Sequence, residues 1–118
     1  MGPLRIARGA DRTLEIGRIR PMSSENGPST PVRRRLVVRG RVQGVFFRDS
    51  VRQAAENEGV AGYAVNRDDG SVEVVLEGAP EAVASVAGYA RRGPSSARVD
   101  EVEESEEAPE GLSGFETR

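Results

Sequence analysis

The chain has 118 residues and a mass of 12.7 kDa, enough for one domain and short for two. Its hydrophobic fraction is 36%, only 4% is aromatic and 31% is charged, so any core must be small and aliphatic. All 17 basic residues are arginine, and Lys, His, Cys and Trp are absent. That excludes a serine–histidine triad, a phosphohistidine, a Schiff-base or Walker lysine, a thiolate nucleophile, a disulfide and the usual zinc and iron–sulfur sites. The chemistry left to the chain is that of Arg, Asn, carboxylates, hydroxyls, backbone amides and water.

The net charge of −2 is unevenly spread. Arg33, Arg34, Arg35, Arg39, Arg41 and Arg48 occupy a stretch without acids, whereas Asp100 to Glu110 carries seven acids and no base. The near-neutral balance does not fit a dedicated nucleic-acid binder. No apolar run reaches the length of a membrane span, and no secretory h-region follows the N-terminus, so the expectation is a soluble cytoplasmic protein without membrane contact. Residues 1–32 scatter their apolar side chains among Arg, Gly and Pro and end in the linker-like run Ser23 to Pro31. They are expected to form a disordered extension, with Met22 as a possible translation start and a faint likeness to a transit peptide. The folding unit is expected over residues 33–118.

In that unit Arg34, Leu36, Val38, Gly40 and Val42 share one face of an extended segment, and Arg35, Val37, Arg39 and Arg41 the other, which predicts a strand with one apolar face. Phe47, Val51, Ala54 and Ala55 then recur at helical spacing, with Asp49 in the first turn and Gly59 as the stop. Tyr63–Asn66 and Val72–Leu76 read as strands flanking Arg67-Asp68-Asp69-Gly70, a hairpin signal. Pro80 opens a second helix that buries Val83, Val86, Ala87 and Ala90 and ends at Gly93-Pro94. Arg98–Glu103 predicts a weaker strand with a bulge where Val99 and Val102 break the period of two, and Phe115–Arg118 a last short one. The order β-α-β-β-α-β implies an α+β, ferredoxin-like sandwich: an antiparallel sheet, two helices on one face and an arginine-bearing face left to solvent.

The strand-to-helix junction Val38 to Arg48 has the makings of an anion cradle. Gly40 and Gly44 permit tight turns, backbone N–H groups face the loop, the helix start adds a positive dipole end, and Arg48 in the first turn can close over an oxyanion. The plain alternative is a βα turn with Arg48 on a solvated face. Asn66 at the end of its strand is either a turn residue or a neutral amide able to orient a water. Asp68 and Asp69 read as solvated turn residues. The acidic run from Asp100 reads as an edge strand whose charge discourages strand addition, with no ligand spacing for a cation.

These residues resemble the acylphosphatase family. The run Val38 to Arg48 is similar at every position to that family's first signature, a Gly-x-Val-Gln-Gly-Val-x-Phe-Arg pattern. Gly62 to Val72, extending to Gly78, resembles the second and departs from it at Val65. The resemblance covers residues 33–118 and none of 1–32. It implies the same ferredoxin-like fold, a phosphate-binding loop of Gln43, Gly44, Val45, Phe46, Phe47 and Arg48, with Arg48 the essential phosphate ligand, and Asn66 orienting the attacking water. The implied reaction is hydrolysis of small acyl phosphates by a monomer without metal, cofactor or covalent intermediate. Two other functions stand beside it. One is nucleic-acid binding on the arginine-bearing sheet face, which lacks the aromatics that stack bases. The other is a non-catalytic module for a small phosphate or carbamoyl phosphate.

Overall fold

The computed structural model describes residues 30–118. Residues 1–29 lie outside the described residues, and with them Met22 and nearly all of the expected extension. The elements are β1 (Val32–Arg41), α1 (Phe47–Glu58), β2 (Ala61–Asn66), β3 (Val72–Gly78), α2 (Pro80–Arg92), β4 (Arg98–Glu107) and β5 (Phe115–Thr117). The predicted alternation in β1 holds on its inner face, where Leu36 and Val38 are fully buried. They meet Phe47, Val51 and Ala55 of α1, Val74 and Leu76 of β3, and Val83, Val86 and Ala90 of α2. Both helices thus lie on one side of the sheet, as a ferredoxin-like fold requires, and Gly59 caps α1 by donating its N–H to the carbonyls of Ala55 and Glu56.

The strand order is β4-β1-β3-β2-β5. The first four strands pair antiparallel, but β5 runs parallel to β2, so the sheet is mixed rather than purely antiparallel as predicted. The reason lies in the connection. β4 ends at the edge beside the start of β1, and residues 108–114 then cross past the ends of β1 and β3 before β5 turns along β2. Glu77 at the end of β3 holds this crossing. It is buried, and its carboxylate accepts the N–H groups of Glu110, Gly111 and Leu112 at 2.9, 3.1 and 3.0 Å and Arg33 Nη1 at 2.6 Å.

β4 runs four residues beyond its predicted end at Glu103. Glu104, Glu106 and Glu107 continue the strand because Arg33, Arg34 and Arg35 lie across the ladder, with Arg34 Nη1 2.8 Å from Glu104 and Arg35 Nε 2.6 Å from Glu107. The predicted bulge is present. Arg39 pairs with Glu101 and Gly40 with Val99, which leaves Asp100 as the extra residue and turns both Val99 and Val102 toward the core. At Gly40 the strands approach so closely that a Cβ would lie 2.2 Å from the Arg98 carbonyl oxygen.

The outer sheet face differs from the solvated arginine surface that was expected. Arg33 is buried on Glu77 and Glu107. Arg35 pairs with Glu73 and Glu107, and Arg39 with Glu103 and Asp69. Val37 and Val75 are buried on this side without belonging to the main core. Arg33, Arg35 and Arg39 are folded down onto carboxylates, which leaves Arg41 at the end of β1 as the exposed arginine of this face.

Candidate active site

One end of the sheet gathers the residues of chemical interest. β1 and β2 both end there, and the loop from Val42 to Phe46 joins β1 to the start of α1. Phe47 anchors this loop: its ring is buried in the core and packs so tightly on the end of α2 that a Cβ at Gly93 would lie 2.8 Å from Cε2. Ser96 secures the loop from the side, its Oγ donating to the Val45 carbonyl at 2.8 Å. Gln43 ties it to the β2–β3 hairpin, with Nε2 donating to the carbonyls of Arg67 and Ser71 at 2.8 and 2.9 Å. That hairpin is set in turn by Asp69, whose Oδ1 accepts both the N–H and the hydroxyl of the buried Ser71 at 2.9 and 2.5 Å. The Ser71 hydroxyl and N–H, with Arg67 and Arg39 nearby, hold the Asp69 carboxyl below its usual range. Two loops distant in sequence are thereby fixed to each other.

Between them lies a cleft of about 270 Å³ lined by Val42, Gly44, Phe46, Phe47, Arg48, Asp49 and Asn66. This is below the roughly 300–1,000 Å³ typical of drug-sized ligands. The α1 N-terminus opens into it. Phe46, the N-cap, sits in the left-handed region at φ 61° and ψ 23°, and its carbonyl accepts the Ser50 N–H at 3.0 Å. Among the described residues the N–H groups of Gly44, Val45 and Phe46 have no backbone partner, and the first-turn amides of a helix have none within it. A loop of N–H groups without backbone partners at a helix start can hold an anion. Arg48, half-buried in the first turn, adds the guanidinium, and its Nη1 donates to the main-chain oxygen of Arg118 at 2.5 Å. The guanidinium of Arg118 lies 3.9 Å over the Tyr63 ring. Asn66 is exposed at the end of β2, facing the same cleft.

Of the predicted site residues, Gly44, Phe46, Phe47, Arg48 and Asn66 come together around this cleft. Gln43 and Val45 do not line it; the first braces the hairpin and the second packs toward the core. Sequence reasoning missed Val42, Asp49 and the Arg118 oxygen. Asp49 was visible only as an acid in a first helical turn, and it lies 3.6 Å from Arg52. Nothing local in the sequence marks Arg118, because β5 delivers it from 70 residues away.

Comparison with known proteins bears on the family and the fold. The profile of the acylphosphatase family matches residues 34–117. The chain is 47% identical over 88 residues to an acylphosphatase of Gloeobacter violaceus, covering 75% of this chain and 95% of that one. Its structure is similar to the crystal structure of acylphosphatase from Bacillus subtilis, with a TM-score of 0.71 and 35% identity over 74% of this chain and 98% of that one. It is also similar to part of a larger protein, HypF of T. kodakarensis, with a TM-score of 0.65 and 30% identity over 74% of this chain but only 12% of that one. With a profile spanning the sheet, both helices and the cleft, and relatives matched over nearly their whole length, the chain belongs to the acylphosphatase family.

Proposed function

We propose that the chain hydrolyses the carboxyl–phosphate anhydride of small acyl phosphates to a carboxylate and inorganic phosphate. The observation that carries this reading is the convergence, in one small cleft, of unpaired loop amides, a helix N-terminus, the Arg48 guanidinium and the Asn66 amide. In this scheme the loop N–H groups and Arg48 hold the phosphoryl oxygens, and the Asn66 side chain orients a water. The water oxygen attacks phosphorus and the P–O bond to the acyl group breaks. The electron pair leaves on the carboxylate, and the water's proton passes to a phosphate oxygen. A carboxylate is a weakly basic leaving group, so the absence of His as a general acid is no obstacle. Phosphoryl transfer asks mainly for positioning and charge stabilisation, which N–H donors and a guanidinium supply. Those donors attract anions rather than cations, so turnover is expected to survive exhaustive chelation.

The ion-paired outer face favours a small-molecule function over nucleic-acid binding, and the proposed state is a monomer. Among the described residues no helix is long and apolar enough to cross a membrane; the proposed location is the cytoplasm. The test is release of inorganic phosphate from acetyl phosphate by the wild type and by Arg48→Lys. The lysine keeps the charge but loses the planar fork, so both turnover and inhibition by inorganic phosphate should weaken. Phosphate binding without phosphate release would instead identify a binding module.

A further inference from the structure

The cleft's least economical residue is Phe46. It is the only large hydrophobic side chain exposed among the described residues, at 78%. It is also the only non-glycine residue there with a positive φ, a conformation that is strained for a bulky side chain. Finally, it stands at the N-cap of α1 without a side-chain cap, where Ser, Thr, Asp, Asn or Gly would serve the helix better. Glycine would relieve the backbone, and a small polar residue would cap the helix and remove apolar surface from water. None of these costs is offset by packing, because the ring is exposed. A residue that goes against three local preferences at one point in a ligand cleft marks a functional demand on its side chain.

The position suggests what that demand is. Arg48 and Asn66 line the same cleft as Phe46, and its volume of about 270 Å³ leaves room for a substituent beside a phosphate. An acyl phosphate seated with its phosphate on the loop has its acyl group in the same cleft, where Phe46 offers an exposed apolar ring. Asp49 lines the same cleft, and its carboxylate disfavours acyl groups that bear a second one. Resting on the acyl phosphate reading above, we infer that Phe46 is a specificity residue, its ring receiving the acyl group and favouring uncharged, apolar and especially planar acyl phosphates over small polar or anionic ones.

The test uses the full chain and two kinds of probe. The first is a pair of substrates, benzoyl phosphate and acetyl phosphate. The second is a pair of non-hydrolysable analogues in which CH2 replaces the bridging oxygen, phenacylphosphonate and acetonylphosphonate. An aromatic contact at an exposed rim corresponds to a preference of about 3- to 10-fold. The wild type should therefore bind phenacylphosphonate more tightly than acetonylphosphonate by that factor and show a similar ratio in kcat/KM. Phe46→Gly relaxes the backbone and removes the ring, so the ratio should fall toward one. Phe46→Tyr should retain it, and Phe46→Leu should fall between. Inhibition by inorganic phosphate reports in each variant whether the loop itself is intact. A wild-type protein without the binding preference, or a Phe46→Gly variant that keeps it while still binding phosphate, would overturn the inference. If the phosphonate preference is present and sensitive to Phe46 but neither acyl phosphate is cleaved, the acyl-group contact stands and hydrolysis alone is refuted.

Discussion

Glu77→Gln changes one oxygen for one NH2 at constant volume, and the structure sets the size of the effect. Oε2 receives Arg33 Nη1 at 2.6 Å and the Glu110 N–H at 2.9 Å; Oε1 receives the N–H groups of Gly111 and Leu112 at 3.1 and 3.0 Å. Whichever way the amide turns, its NH2 faces two donors, so two hydrogen bonds are lost and the buried Arg33 loses a counter-charge. Arg33 and Glu77 are only 3% and 4% exposed, so solvent screens little of this. Hydrogen bonds to charged groups contribute about 1.5–3 kcal/mol each, and breaking one side of a buried pair costs about 3–5 kcal/mol. The expected loss is therefore about 3–5 kcal/mol, or a fall in Tm of at least about 12 °C for a domain of this size. Thermal and urea unfolding at neutral pH measure it, and hydrogen exchange at Gly62, whose N–H donates to the Gly114 carbonyl at 2.9 Å, should accelerate as the crossing loosens. Burial alone would raise the Glu77 carboxyl's pKa, but the N–H donors and Arg33 outweigh it and hold the group below its usual range. A depressed carboxyl stabilises the fold above its unfolded pKa and loses that contribution as pH falls, so wild type and variant should converge in acid. The double change Arg33→Met with Glu77→Leu should not restore stability, because three loop N–H groups would remain without an acceptor. A Glu77→Gln protein that melts within about 3 °C of wild type would refute the reasoning.

Other outcomes follow from separate parts of the molecule. Asn66→Ala should lower kcat roughly 100-fold with phosphate inhibition nearly unchanged, by analogy with loss of one preorganised group; wild-type turnover would return Asn66 to a turn role. Gly62→Ala should destabilise by about 3 kcal/mol or more, since φ is +143° and a Cβ would lie 1.8 Å from the Val75 carbonyl oxygen. By contrast Gly88→Ala, inside α2 and facing open space, should stabilise by about 0.5–1 kcal/mol, and chemical denaturation compares the two. Arg35, and then Arg33, depress the Glu107 carboxyl from its ordinary 4.5 to about 2. Its stabilisation should be complete above pH 4.5 and vanish as pH falls toward 2, and Glu107→Gln should flatten the stability profile across that window.

The inner half of this fold was legible because its signals are local. Leu36 and Val38 alternate, Val83, Val86 and Ala90 recur at helical spacing, and Asp69-Gly70 marks the hairpin. The loop residues Gly44, Phe47 and Arg48 were legible for a second reason, since a turn leading into a helix start can be read within one segment. What was missed depends on partners far away in the chain. Nothing near Arg33 says that it will be buried on Glu77 rather than half-buried like Arg34. The parallel course of β5 follows from where residues 108–114 are gripped, which only the folded sheet reveals. The resemblance implied that Gln43 belongs to a phosphate loop, whereas its side chain in the structure supports the neighbouring hairpin, a contact set by the distance between two loops.

The pairing of β1 with β4 joins residues as far apart as Arg33 and Glu107, so the sheet cannot form until most of the chain has been brought round on itself. Closing so long a loop is entropically demanding, and topologies rich in such contacts fold slowly for their size. Here the two strands that must meet carry opposite charge along their length, arginines at 33, 34, 35 and 39 against glutamates at 101, 103, 104, 106 and 107. In the unfolded chain that complementarity biases distant segments toward encounter before any side chain is packed. The ion pairs between β1 and β4 therefore bear on the search for the native topology as well as on its upkeep, and added salt should slow folding by masking that attraction.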